Sequence, residues 1–321
     1  MVDLPEGFYC RPPTLDDAGA VAGLLAECVR VDGGADSTTV EHVLDDWHGV
    51  DLREEAVLVL APDSSAAGYA DVVNRAFVSV SVYGYVHPDH RGRSIGSCLV
   101  DWGERWMRER LRFAPEGARV VVKHYVIAAS SDTRRLLEEH GYGAVRGTYV
   151  MEIELDEDPP EPVWPEGISV RTFVPGRDDR TVFEAVEDAF RDVWDRPRGT
   201  FERFLGRTEN ENFDPALWFL ATAGGEVAGT VLCKTVAGEG WVDVVGVRRP
   251  WRGRGLGLAL LRHALGEYRR RGVRRVGLSV DAGSITGAPR LYGRAGMRTT
   301  SSYVVYAKEL RTGGNAAMGP A

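Results

Sequence analysis

The chain has 321 residues, 44% apolar and 27% charged, an ordinary composition for a globular protein and enough length for two domains. A formal net charge of -8 argues against general nucleic-acid binding and suits cationic substrates such as amines. The four cysteines, Cys10, Cys28, Cys98 and Cys233, show no CxxC spacing, so neither a structural zinc nor a redox dithiol is expected, and no metal is predicted.

The first residues, Met1-Val-Asp-Leu-Pro-Glu, are acidic and lack an apolar signal region. No run of about 18 apolar residues follows, so a cytoplasmic protein without a membrane partner is expected. Tyr9-Cys-Arg-Pro-Pro-Thr-Leu-Asp-Asp-Ala precedes a helical pattern. Two apolar strands, 56–61 and 67–73, flank the turn Pro-Asp-Ser-Ser. A longer strand, 78–86, runs into His-Pro-Asp-His-Arg-Gly-Arg-Ser-Ile-Gly96 and then a helix carrying Leu99, Trp102 and Trp106. A strand over 119–127 follows, then a short helix ending Leu-Leu-Glu-Glu-His-Gly141, where glycine reads as a C-cap. A strand near 149–155 closes this first half.

Asp156-Glu-Asp-Pro-Pro-Glu-Pro-Val-Trp-Pro-Glu-Gly167, with four prolines and five acids, reads as an extended linker. The whole pattern then repeats. Arg171 follows Arg11 by 160 residues. The strands recur at 218–222, 227–233 and 241–247, and Arg252 and Gly257 follow Arg91 and Gly96 by 161. Leu261, Ala264, Leu265 and Tyr268 fall at helical spacing, a strand occupies 275–280, and Leu-Tyr-Gly-Arg-Ala-Gly296 matches the earlier glycine-ended helix. A strand over 302–309 closes the second half, and 312–321 reads as a flexible tail. The expected domains are 1–155 and 168–311, joined by 156–167.

The sharpest segment is Val245-Gly-Val-Arg-Arg-Pro-Trp-Arg-Gly-Arg-Gly-Leu-Gly257. A strand feeds a Gly/Arg loop that feeds a helix, which is the architecture of an anion cradle. Glycines let the backbone approach, and the amides of a helix N-terminus point at a pyrophosphate. It is not a P-loop, because no Gly-Lys-Ser/Thr follows, and it lacks the spacing of a dinucleotide fingerprint.

Arg252-Gly-Arg-Gly-Leu-Gly257 resembles the acetyl-CoA signature R/Q-x-x-G-x-G/A of the GNAT acetyltransferase superfamily. Ala288-Pro-Arg-Leu-Tyr-Gly-Arg-Ala-Gly-Met297 resembles its A-x-x-L-Y-x-x-x-G-F segment. The likeness covers both halves, and the tandem form with a degenerate first copy is similar to mycothiol-synthase-like acetyltransferases, which acetylate the cysteinyl amine of a thiol precursor. It implies an α/β fold: two tandem GNAT-type domains, each a mixed, mostly antiparallel central sheet flanked by helices. It implies acetyl-CoA as cosubstrate, bound by Arg252, Gly253, Arg254, Gly255, Leu256 and Gly257, with Val245 and Val247 pairing with the pantetheine arm through their backbones. Asp281-Ala-Gly-Ser284 departs from the family's usual pattern, so a contact from Ser284 to CoA is the weakest part of the transfer.

Direct transfer from thioester to amine needs a base for the ammonium and a proton or hydrogen-bond donor for the leaving sulfur. Asp243, with Glu239 second, is the candidate base, and Tyr292 the candidate donor. A salt-bridging or turn carboxylate and a packed aromatic are the structural alternatives. In the first half Ser94 stands for the middle glycine, Leu137 for the tyrosine and Val82 for Asp243. CoA binding by Val86, Arg91, Gly92, Arg93, Ser94, Ile95 and Gly96 remains expected there, but catalysis does not. Trp194, Glu209 and Glu211, in an aromatic-rich stretch, are candidate substrate contacts against a default of packing or surface. Arg269-Arg-Arg-Gly-Val-Arg-Arg275 is either a site for the CoA 3′-phosphate or a solvated helix end. The expected activity is acetylation of a primary amine on a small molecule. A non-catalytic acyl-CoA-binding module is the other class, opposed in the second half by Asp243 together with Tyr292.

Overall fold

The computed structural model describes residues 4–33, 38–193 and 199–314. The chain forms two compact units, one from the segment up to Gly147 together with that from Ser301 onward, the other from Thr148–Thr300.

Unit 1 begins with β1 (Tyr9–Arg11), then α1 (Ala18–Asp32), α2 (Val40–Asp46), the single turn α3 (Leu52–Glu55), β2 (Ala56–Leu60), β3 (Ala66–Arg75) and β4 (Ser79–Val86). It continues through α4 (Ile95–Arg110), β5 (Val120–Ile127) and α5 (Ser131–Glu139). After β6 (Gly143–Glu154), unit 2 contains β7 (Ile168–Thr172), α6 (Asp179–Ala189), α7 (Phe201–Gly206), β8 (Trp218–Ala223), β9 (Glu226–Val236) and β10 (Glu239–Val247). It ends with α8 (Leu256–Arg270), β11 (Arg275–Asp281) and α9 (Ala288–Arg294), and the chain's last strand is β12 (Arg298–Arg311).

The sheets repeat. Unit 1 runs β1-β2-β3-β4-β5-β12 and unit 2 runs β7-β8-β9-β10-β11-β6. Neighbours are antiparallel apart from the parallel pairs β4·β5 and β10·β11. Each is the expected mixed, mostly antiparallel sheet with helices against it. The domain boundaries differ from those expected. β6 pairs with β11 from Thr148↔Asp281 to Glu154↔Arg275, and β12 pairs with β5 from Tyr303↔Ile127 to Arg311↔Val120. Each repeat's closing strand therefore completes the other repeat's unit, a connectivity that periodicity cannot reveal. The 156–167 stretch belongs to unit 2, where Leu155 N–H donates to the Arg274 carbonyl at 2.6 Å and Arg274 donates to Asp156 at 2.6 Å. Within the span expected as a tail, Gly314 is held: its N–H donates to the Gly117 carbonyl and Arg119 N–H donates to its carbonyl, each at 2.9 Å.

The cores follow the sequence patterns. On α8, Leu258, Leu261, Leu265 and Tyr268 form a helical stripe in the core that α8 builds against β8, β9 and β10, each large side chain contributing roughly 1.5–3 kcal/mol. The Tyr268 hydroxyl donates to the Lys234 carbonyl at 2.6 Å, and a Cβ on Gly240 would meet that ring at 2.8 Å. So the second residue of β10 is glycine, which lets α8 lie close. Cys28, Cys98 and Cys233 are buried and free, and Cys10 is exposed. Among the described residues no helix is long and apolar enough to cross a membrane, and no group of three His, Cys, Asp or Glu is disposed to hold a metal.

Candidate active site

In unit 2 the loop after β10 ends at Gly255, the N-cap of α8, with φ 84° and ψ -3°. This is the left-handed region, where a side chain costs about 1–2 kcal/mol. The Ala259 N–H is bonded to the Gly255 carbonyl at 3.1 Å. The N–H groups of Leu256, Gly257 and Leu258 precede the first helical donor, Ala259 N–H, and no side chain caps them. With the helix dipole behind them they offer the donors and positive potential that suit an anion. Arg254 is exposed beside them. These groups fit a pyrophosphate.

Gly257 has a different reason from the one expected. A Cβ there would meet Leu291 Cδ1 at 3.0 Å and Val247 Cγ2 at 3.5 Å. The small residue lets α8 approach α9. Arg252 also departs from expectation. Its guanidinium donates to the Val247 carbonyl at 3.0 Å and the Ala189 carbonyl at 2.8 Å, and pairs with Asp192 at 3.2 Å. Its side chain thus ties the strand end to the segment after α6. Arg249 shares Asp192, and the two guanidiniums hold that carboxyl below its usual range. Sequence reasoning missed Asp192 as an anchor, although Asp32 stands 160 residues before it and Arg91 pairs with Asp32 at 2.8 Å in the same way.

β10 and β11 pair only at Gly240↔Val276 and Trp241↔Gly277. Beyond Trp241, the β11-facing edge of β10 through Val245 and Val247 has no ladder partner among the described residues. Asp243 sits in this stretch, at a bulge: Val242 pairs with Cys233 and Val244 with Leu232, leaving Asp243 as the extra residue. Its side chain is exposed. Bulges re-aim side chains and interrupt pairing beside functional sites. The expected match of Val82 to Asp243 is corrected here. Val82 pairs with Val72 in an unbulged ladder, so its counterpart is Val242.

Glu239 lies at the far end of β10, about 26 Å from Val247 at strand rise. It pairs with Arg275 at 3.3 Å, which also holds Glu152 at 2.9 Å. That places it in a structural ion cluster rather than in the splayed segment. Tyr292, on α9, is 9% exposed, and burial pushes its phenol up to about 12. No hydrogen bond to its hydroxyl forms among the described residues. Ser284 lies in the turn before α9, its Oγ 3.0 Å from Thr286 Oγ1.

The remaining candidates separate. Trp194 lies outside the described residues. Glu209 and Glu211 are exposed between α7 and β8. The aromatic run is mostly core: Phe190, Phe201, Phe204 and Phe213 pack around Phe183 and Trp218. The arginine cluster is consumed by ion pairs, Arg269 with Asp158, Arg271 with Glu267 and Asp214, and Arg275 with Glu152. It occupies the C-terminal end of α8, about 22 Å from the cradle, so the helix-end reading replaces the 3′-phosphate one.

Unit 1 keeps the loop but not the neighbouring groups. Ser94 takes φ 63° as the N-cap of α4, Gly92 has φ 74°, and the Cys98 N–H bonds the Ser94 carbonyl at 3.0 Å, leaving the N–H groups of Ile95, Gly96 and Ser97 before it. Arg91 Nε reaches the Val86 carbonyl at 3.4 Å, and Arg93 is exposed as Arg254 is. A Cβ on Gly96 would meet Leu136 at 2.8 Å, again a helix contact. Leu137, where unit 2 has Tyr292, is buried in the core.

Residues 181–297 match the Acetyltransferase (GNAT) family. A mycothiol acetyltransferase from Streptomyces scabiei is 33% identical over 303 residues, covering 90% of this chain and 91% of the relative. Another from Streptomyces coelicolor is 31% identical, covering 92% and 93%. The crystal structure of a GCN5-related N-acetyltransferase from Sphaerobacter thermophilus shares 53% identity at a TM-score of 0.88, covering 99% of this chain and 100% of the other. A tandem GNAT protein from the clavulanic acid biosynthesis pathway shares the fold, with a TM-score of 0.69 at 17% identity over 98% and 99% of the two chains. The chain belongs to the GNAT family in its tandem form and is an acetyl-CoA-dependent N-acetyltransferase.

Proposed function

We propose that unit 2 moves the acetyl group of acetyl-CoA to a primary amine of a small molecule. The observation that carries this is the difference between the two copies. Both have an open helix N-terminus, but only β10 is bulged to present a carboxylate, Asp243, and only α9 offers a tyrosine, Tyr292. In this reading the α8 amides and Arg254 hold the pyrophosphate, and the splayed edge of β10 lies along the pantetheine arm.

An alkylammonium, which in water loses its proton only near pH 10.4, is almost fully protonated at about pH 7. Asp243 takes its proton, directly or through water. The free amine attacks the thioester carbonyl, the C–S bond breaks as the thiolate leaves, and the second proton on nitrogen passes to that thiolate or to water, giving the neutral amide and the CoA thiol. Tyr292 stabilises that sulfur as a hydrogen-bond donor. With its phenol near 12, full proton transfer to a thiolate of conjugate pKa about 8.5 would be uphill by about 5 kcal/mol. A donated hydrogen bond avoids that cost.

The acceptor reading with specific support is a cysteinyl amine, because relatives matching nine-tenths of the chain are mycothiol acetyltransferases. The test is an acceptor screen with acetyl-CoA, read by the mass gain of one acetyl group, since a thiol-bearing acceptor would mask thiol release. Acetylation of simple amines but not of cysteinyl amines would remove the second reading. Turnover unaffected by Tyr292→Phe and Asp243→Asn would remove the first.

A further inference from the structure

One face of the unit 1 sheet carries groups that its own fold leaves unfinished. Tyr69 and Asp71 on β3 pair with Tyr85 and Tyr83 on β4, so all four side chains share a face. Tyr83 stacks on Tyr125 of β5 with centroids 5.5 Å apart. Tyr303 on β12, two positions from the partner of Tyr125, continues the same face. At the deep end, Trp47 Nε1 donates to the Tyr69 hydroxyl at 2.7 Å, and that hydroxyl donates to Asp71 Oδ2 at 2.7 Å.

Asp71 Oδ1 is fully buried and has no hydrogen-bond partner. The charges acting on this carboxyl are other acids, Asp46 and Glu55, and burial pushes it up to about 7. Arg75 acts on Tyr83, not on Asp71. Burial likewise raises the Tyr83 and Tyr85 hydroxyls. Yet Asp71, Tyr83, Tyr85, Tyr125 and Tyr303 each keep accessible surface. These groups therefore border solvent rather than fill a core.

Unit 2 has nothing comparable. The residues at the rungs of Tyr69, Asp71, Tyr83 and Tyr85 are Thr230, Leu232, Val244 and Gly246. There α6 closes down instead, with Ala189 3.2 Å from a Cβ on Gly246. The tyrosine-and-carboxylate face is therefore particular to unit 1.

We propose that unit 1 holds a second small-molecule site, for a ligand bearing a primary ammonium, with the ammonium paired with the Asp71 carboxylate and the rings of Tyr83 and Tyr85 along its flanks. A buried carboxylate oxygen with no donor calls for a cationic N–H donor. Tyrosine faces favour a cation over a neutral group of the same shape. A neutral hydroxyl would satisfy the hydrogen bond but not the charge. With neither a bulged carboxylate nor a tyrosine at the position of Leu137, this site binds without transferring acetyl groups.

The test is fluorine NMR of 4-fluorobenzylammonium titrated into the full chain carrying Asp243→Asn, so that the carboxylate of unit 2 does not contribute. Saturable binding is expected, weakened at least tenfold by adding Asp71→Asn and severalfold by Tyr83→Leu. 4-Fluorobenzyl alcohol should bind at least tenfold more weakly than the ammonium. Equal binding of alcohol and ammonium, no binding at millimolar probe, or unchanged affinity in a folded Asp71→Asn chain each overturns the proposal. Should Asp71→Asn fail to fold, Tyr83→Leu and Tyr85→Leu decide: no weakening in either overturns it.

Discussion

Val82 and Val242 hold the same rung in their respective sheets: Val82 pairs with Val72 and Val242 with Cys233, residues that are themselves 161 apart. Asp243 is thus an insertion with no unit 1 counterpart. The turn before it compensates. Unit 1 joins Arg75↔Ser79 through three residues, whereas unit 2 joins Val236↔Glu239 through Ala237 and Gly238, both at positive φ as a tight hairpin requires. One residue fewer in the turn is balanced by one more at the bulge, and the loops after both strands stay in step.

Deleting Asp243 should therefore restore a regular ladder without moving Val242 or Val244 from their partners. A folded protein with kcat reduced at least about 100-fold is expected. Asp243→Asn should cut kcat/KM most near neutral pH and progressively less towards pH 10, where the amine loses its proton unaided. A loss of equal size at every pH would identify a positioning role instead.

For Tyr292→Phe a fall in kcat of about 10–1,000-fold is expected, with little change in the KM for acetyl-CoA. Because burial holds the phenol near 12, the wild-type pH profile should show no loss of activity up to pH 10 that disappears in the variant. Unchanged kcat under chemistry-limited conditions would take Tyr292 out of the reaction.

Much of this was legible in the sequence because the fold occurs twice. Arg11 and Arg171 recur, and each grips a carboxylate at the start of the first helix, Asp17 at 2.7 Å and Asp178 at 2.5 Å. The Gly/Arg loop is readable because its function depends on local backbone conformation. Asp243 could be selected as a candidate but not recognised as an insertion, since a bulge is defined by a partner strand. Gly257 and Gly96 looked like ligand glycines because sequence does not show that Leu291 and Leu136 face them. The exchange of β6 and β12 was invisible, because either strand, by its own pattern, suits either sheet.

Gly255 and Ser94 separate the two loops better than Gly257 and Gly96, whose substitution also disturbs a helix contact. A Cβ at Gly255 meets nothing within 4 Å, so Gly255→Glu should cost roughly 1–2 kcal/mol in stability. It would also place a negative charge beside the amides expected to hold phosphate. Turnover should fall at least about 100-fold in a folded chain, while Ser94→Glu leaves kcat within a few-fold. The reverse pattern in thiol-release or mass-based assays would put the active unit in the first repeat.

Asp71 makes a prediction about stability that needs no ligand. Its carboxyl is raised to about 7 by burial and by Asp46 and Glu55, against about 3.9 in an unfolded chain. Between those values the folded state holds a proton that the unfolded state has released, so this group's contribution becomes less favourable as pH rises from 4 to 7 and is flat above that. Asp71→Asn removes the penalty. Its Tm should match the wild type near pH 4 and exceed it by several degrees at pH 8. A Tm lower than wild type at pH 8 would show that the carboxylate is stabilised by something other than the groups now around it.

The strand exchange decides which fragments can fold. Residues 168–311, the span that the repeat pattern suggests as a domain, lack β6 and carry β12 without its partner β5. That leaves the β11 edge bare beside Val276, Leu278 and Val280, which are buried in the whole protein. An uncovered apolar edge invites aggregation. Residues 148–300 keep β7 to β11 and the part of β6 that pairs with β11, together with α6 to α9. Expressed alone, 148–300 should unfold cooperatively by circular dichroism. The 168–311 fragment should aggregate, or melt more than about 10 °C lower, the loss of several kcal/mol in a chain of this length. Equal stability of the two fragments would mean that β6 adds nothing to unit 2. Retained acetyl-CoA binding by 148–300 would show in addition that the α8 cradle is built within one unit.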